Sequence, residues 1–284
     1  MFFAFAATFI SAITLVIQKL SLSKFRVNAF GFNLLVFFFL ALTAFIWTIL
    51  NHSLPQKSFF QGESLILFIF LVFLAFIWNT LFSYSLQKEE MSEAEMIISM
   101  SPIFTVLLAL ILLPEERNYF IFAPALVASG ALIWSNIEKR HFDFSKTEFT
   151  LLLAVLGIAL EAIVIKKLLN FIPTETLYFL RCSFSLPLFA LILLTQMKKK
   201  MIFPNSKKSF SLIALVGILA TFQMVFFYRA YHSIGVTETI LISLLAPILV
   251  FILTPYFFKE KIAKKLWFAL AIILICIIIS ELKF

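Results

Sequence analysis

Charge is what this chain lacks most. Only 13% of its 284 residues are Asp, Glu, Lys or Arg, against about a quarter in an ordinary soluble domain. With 62% hydrophobic residues, too little polar side chain is available to cover a water-soluble body of this length. Soluble globular, disordered and fibrous classes are therefore excluded. Cysteine is nearly missing, and Cys182 and Cys276 both lie inside apolar runs. That excludes a disulfide framework and a CxxC metal or redox motif. His52, His141 and His232 are too scattered for a metal site. HExxH, aspartate-rich prenyl-diphosphate, Walker A and GxSxG motifs do not occur. No metal, cofactor or catalytic residue is expected, and the chain is not expected to be an enzyme.

What the chain does have is long apolar runs. A helix needs about 20 apolar residues to span the hydrocarbon core, so ten spans would use about 200 residues. The remainder serves short connections and leaves no room for a soluble catalytic or nucleic-acid-binding domain. The runs are 2–19, 28–50, 64–87, 92–113, 118–136, 148–169, 174–197, 209–232, 237–258 and 264–282. The breaks are short: 51–62 carries Pro55, 88–95 is a charge cluster, 114–117 is an acidic turn, and 198–208 carries five lysines and Pro204. The 2–19 run has no basic segment before it and reads as a span rather than a cleavable signal. The expectation is an all-α polytopic membrane protein of ten transmembrane helices.

The net charge of +8 does not imply nucleic acid, because the basic residues are segregated. With ten spans, both termini and the even-numbered loops share one side, which holds Lys57, Arg117, Lys166, Lys167, Arg229 and Lys283. The opposite side holds sixteen basic residues, including Lys19, Lys88, Lys146, the Lys198–Lys208 run and Lys265. Positive-inside bias then places both termini outside the cytoplasm. A basic excess beside anionic headgroups makes membrane lipids the expected macromolecular environment.

The chain also resembles itself. An offset of 145 residues aligns 82–116 with 227–261 without a gap, pairing Glu93 with Glu238, Pro102 with Pro247 and Glu115 with Glu260. A nearby offset pairs Val16–Leu20 with Val164–Leu168. Two five-span halves follow, 1–140 and 146–284, and an odd number of spans per half makes them inverted repeats. The segments "SEAEMIISMSPIFTVLLALILLPEE" and "TETILISLLAPILVFILTPYFFKE", with "FLRCSFSLPLFALILL" in span seven, resemble the EamA-type members of the drug/metabolite transporter superfamily. The resemblance implies a mid-helix proline and a closing glutamate in spans four and nine, here Pro102 with Glu115 and Pro247 with Glu260. It also implies an arginine in the second helix of a half, here Arg181. The first half carries Asn33 where a second arginine would stand.

Several residues could carry chemistry. Glu161 lies deep in span six, where an ionised carboxylate costs roughly 2.5–3.5 kcal/mol on an insertion scale. It needs a partner or time spent protonated. Arg181 is the nearest partner by depth: each residue lies about 10 Å from the same surface at 1.5 Å rise per residue. The pair is either a structural ion pair or a coupling device in which a substrate anion competes for Arg181. Trp78, Asn79 and Tyr84 in span three, and Gln223 and Tyr228 in span eight, form polar stripes expected to face the bundle interior. Trp78 can equally be lipid-facing packing. Ser99 and Ser243 lie beside the Pro102 and Pro247 kinks, with hydroxyls free either to meet a solute or to bond back to their own helix. Arg229, His232 and Glu238 lie near one surface, where snorkelling is expected.

These readings make the chain a secondary transporter of a small organic solute, metabolite or amino-acid-like, moved outward by alternating access in a bacterial inner membrane as a monomer or homodimer. Two readings of other classes stand beside it. One is an intramembrane enzyme acting on a lipid-linked substrate, and the other is a channel.

Overall fold

The computed structural model describes residues 1–24, 28–53, 61–136, 145–196, 206–258 and 265–281. Twelve α-helices occupy them, with no strand among the described residues. They are α1 (Phe2–Lys24), α2 (Ala29–Leu50), α3 (Glu63–Lys88), α4 (Met91–Ile98), α5 (Ser101–Leu112), α6 (Tyr119–Asn136), α7 (Lys146–Leu168), α8 (Thr174–Gln196), α9 (Lys207–Ile234), α10 (Val236–Ser243), α11 (Leu245–Phe258) and α12 (Lys265–Glu281). Because α4 with α5 and α10 with α11 are each one span broken in the middle, the twelve pieces make ten rods. Six segments are long and apolar enough to cross a membrane by length and composition, and shorter apolar stretches at 96–112, 120–135 and 267–280 add to them. The protein is an integral membrane protein.

Local chemistry sets the helix starts. Ser145 begins α7 with a capping box: its hydroxyl accepts from the Glu148 N–H at 3.0 Å, and the Glu148 carboxylate accepts from the Ser145 N–H at 2.7 Å. Asn28 accepts from the Phe30 N–H to begin α2, and Ser206 accepts from the Ser209 N–H to begin α9. Large apolar side chains such as Phe2, Leu50, Ile66, Ile111 and Phe268 point outward, as a lipid-facing surface requires.

The two breaks follow from the prolines. Pro102 is the second residue of α5 and has no N–H to return to the Ile98 carbonyl, so α4 ends there. Pro247 likewise cannot donate to Ser243, the last residue of α10. Each span therefore breaks at mid-depth, where the freed carbonyls lie beside the interior.

The halves pack as a pseudo-twofold pair. The first helix of each half lies against the third of the other, α1 on α9 and α7 on α3; the second helices pair as α2 on α8, and the fifth as α6 on α12. Two glycines permit close approach. A Cβ on Gly157 of α7 would lie 2.7 Å from the Trp78 Cβ of α3, and one on Gly217 of α9 would lie 2.5 Å from the Phe39 Cβ of α2. The repeat shows a parallel bond in each half, from donors one register apart. Lys19 Nζ donates to the Leu86 carbonyl at 2.6 Å, and Lys166, which neighbours the Lys167 equivalent of Lys19, donates through Nζ to the Tyr231 carbonyl at 2.7 Å. Leu86 and Tyr231 are equivalent under the 145-residue offset, so inversion sets the two bonds at opposite ends of the bundle.

Candidate functional site

A cavity of about 270 Å³ lies between the halves. Its wall is mainly apolar, with Phe32, Phe37, Leu40 and Phe227 among the larger contributors. Set into that wall is one pair of opposite charges. Glu161 and Arg181 are each 2% exposed, and Arg181 Nε lies 2.5 Å from Glu161 Oε1. The second carboxylate oxygen accepts from Trp78 Nε1 at 2.7 Å. Three helices therefore converge on one carboxylate: α7 carries it, α8 supplies the guanidinium, and α3 supplies the indole. Gly157, one turn before Glu161, allows α3 close enough for the indole to reach.

Amides line the cavity as well. Asn33 Nδ2 donates to the Asn79 carbonyl at 3.1 Å, and its Oδ1 accepts from the Ser83 hydroxyl at 2.7 Å. The Asn79 side chain itself donates to the Ala75 carbonyl. Gln18 and Gln223 line the cavity without a side-chain hydrogen bond among the described residues. Gln18, Asn33 and Asn79 come from the first half and Gln223 from the second, whereas both charges come from the second.

The structure distributes the sequence-derived site residues unevenly. Glu161, Arg181, Trp78, Asn79, Gln223 and Ser243 line the cavity together, as do Pro102 and Pro247. Ser243 keeps its hydroxyl bonded to the Ile240 carbonyl. Ser99 is buried off the cavity with its hydroxyl on the Met96 carbonyl. Tyr84 is 39% exposed and bonds Lys88, so it faces away from the interior. Six residues beyond Trp78, it is rotated by about 120° around α3. Tyr228 sits behind the wall, edge-on to Tyr178, with ring centroids 5.6 Å apart.

Two further expectations are corrected. Arg229 does not snorkel freely. Its Nε donates to Glu175 at 2.9 Å, its guanidinium also reaches Asn51, and Phe3 and Trp47 lie beside it. The glutamate that acts after α5 is Glu116 rather than the motif position Glu115, which is exposed. Glu116 accepts from the Val236 N–H at 2.8 Å and the Thr237 N–H at 2.9 Å, so it caps α10 from the other half. Lys166 Nζ stands 3.9 Å from the same carboxylate. Glu260 lies outside the described residues.

Sequence reasoning passed over Asn33 as a site residue, together with Gln18, Tyr178 and Tyr231, all of which line the cavity. A signal existed for Tyr178: it precedes Arg181 by three residues and so shares its helix face.

A polytopic bundle of two inverted five-span halves around a central cavity that holds a buried ion pair is the architecture of a membrane carrier. The EamA-like transporter family model matches twice, over residues 1–137 and 145–281. The chain belongs to the EamA-like transporter family. A crystal structure described only as that of a protein shares 18% identity, with a TM-score of 0.74 over 99% of this chain and 96% of its own, and so shares the fold. No curated protein sequence matches the chain.

Proposed function

We propose that the protein is a secondary transporter that carries a small organic solute through the central cavity by alternating access. The observation that carries this reading is the Glu161–Arg181 pair, set in a cavity with unengaged amides. A purely structural ion pair needs neither a cavity beside it nor free amides around it. A volume of about 270 Å³ equals roughly nine waters' share of liquid and suits a metabolite-sized or amino-acid-like solute rather than a bare ion or a lipid-linked chain. Net export, a bacterial inner membrane, and a monomer or homodimer complete the reading.

The coupling step is a competition. The competition is for Arg181: a substrate group that draws the guanidinium away leaves a buried carboxylate without its partner, which a dry site disfavours. Trp78 faces the carboxylate from α3, Arg181 and the Cys182 thiol stand on α8, and Tyr228 and Tyr231 stand on α9. Substrate binding then brings in a proton at Glu161. The test is counterflow in proteoliposomes against a panel of metabolites. Solute exchange supports the carrier. Conversion of a lipid-linked compound without exchange would mark an enzyme, and conductance in planar bilayers a channel.

A further inference from the structure

Two hydroxyls beside the ion pair have nothing adequate to bond. Tyr178 and Tyr228 are fully buried, and neither hydroxyl has a hydrogen-bond partner by ordinary geometry. On its own helix Tyr178 lies near Arg181, itself a donor, and near the Cys182 thiol, one turn on, which is a weak acceptor. Tyr228 lies within electrostatic reach of both Arg181 and Glu161. Unpaired donors at such depth are expensive to keep and call for an explanation.

Arg181 is under-used in the same place. Its Nε–H is bonded to Glu161, and no hydrogen bond engages its Nη groups among the described residues, although the residue lines the cavity. The guanidinium fork is built to grip a planar two-oxygen acceptor. Two donor groups that line the cavity are therefore left without an acceptor, the Arg181 Nη fork and the Tyr178 hydroxyl.

The geometry points to a carboxylate subsite at Arg181 and Tyr178, so that the solute is a small monocarboxylate with an apolar tail. This rests on the transporter reading and names its substrate class. The charge count selects the carboxylate over a phosphate. The site holds one cation, already neutralised by Glu161, so a dianion would meet no net positive charge. A monoanion is balanced by one proton on Glu161. The tail then lies along Phe32, Phe37, Leu40 and Phe227, which bound the rest of the cavity. Solute and proton enter together, and the bound state is electrically neutral.

The test uses purified full-length protein in detergent with butyrate, octanoate and hydrocinnamate, each against its own primary amide. Binding is read by thermal shift and calorimetry. At least one acid should bind and its amide should bind at least roughly tenfold more weakly, because the amide brings a hydrogen-bond donor to a site made of donors. Tyr178→Phe should weaken acid binding by roughly 10- to 100-fold, the worth of one hydrogen bond to a charged group. Without ligand, the same variant should melt at the wild-type temperature or up to a few degrees higher, since an unpaired hydroxyl has been removed.

Lower melting in the ligand-free variant would show that the Tyr178 hydroxyl has a structural partner and would overturn the subsite. So would amides binding as well as acids, no acid binding, or unchanged acid affinity in Tyr178→Phe. Counterflow of an uncharged solute in that event would leave the transporter reading standing while the carboxylate class fell.

Discussion

Adding one methyl group at Gly157 should loosen the site from behind. The new Cβ would lie 2.7 Å from the Trp78 Cβ and 3.5 Å from its Cγ. Both belong to the root of a side chain that cannot swing away, so α3 must retreat from α7. Overpacking of this kind costs about 1–3 kcal/mol, a fall in Tm of roughly 2–12 °C for a chain of this size. The retreat also draws the indole from Glu161 Oε2, now 2.7 Å away. Gly130→Ala is the control, because nothing lies within 4 Å of a Cβ there. Losing a mid-helix glycine should leave its Tm unchanged or raise it, by up to about 1 kcal/mol of stability. Fluorescence-detected melting in detergent reads both variants. A cycle with Trp78→Phe isolates the shared part, since Gly157→Ala should cost less once the indole N–H is gone. Gly157→Ala melting with Gly130→Ala, or full additivity with Trp78→Phe, would refute the reasoning.

Three further outcomes follow from the same contacts. Arg181→Ala should cost about 3–5 kcal/mol, because it leaves a buried carboxylate without its partner, and adding Glu161→Gln should restore most of the loss in the same melting assay. Glu116→Ala removes the acceptor for the Val236 and Thr237 N–H groups and should cost about 0.5–2 kcal/mol, whereas Glu115→Ala should stay within about 0.5 kcal/mol. The basic loops should be cytoplasmic and both termini should not. A reporter active only in the cytoplasm, fused at the carboxy terminus, should therefore be silent, and activity would reverse the orientation.

The spans were legible because a membrane writes its thickness into the sequence as run length. The run at 174–197 meets α8 (Thr174–Gln196) almost residue for residue. The breaks at Pro102 and Pro247 were legible as kinks but not as full interruptions, since a proline removes one hydrogen bond and the surroundings decide whether the helix resumes at once. Depth along a helix could be counted, and it set Glu161 and Arg181 at one level. Direction around a helix is harder to read on spans apolar almost all round. Tyr84 and Tyr228 were grouped with Trp78 and Gln223 by proximity along the chain, yet five or six residues turn a side chain well away from its neighbour. Arg229 found Glu175 across two helices, a contact no local pattern encodes. Asn33 stands out only at the position where the resemblance places an arginine, because no second polar residue lies within a turn of it to make a stripe as Asn79 has with Trp78.

Transport by the Glu161→Gln variant tests the central claim most directly. Wild type and variant are reconstituted in proteoliposomes, and exchange of a solute found by thermal-shift screening is followed across a range of pH. The wild type should vary with pH because Glu161 takes up and releases a proton in each cycle. Glu161→Gln should still bind the solute, but its rate should be independent of pH, since a neutral amide cannot cycle. A variant that transports at the wild-type rate with the wild-type pH profile would show that Glu161 is structural and that the coupling scheme is wrong.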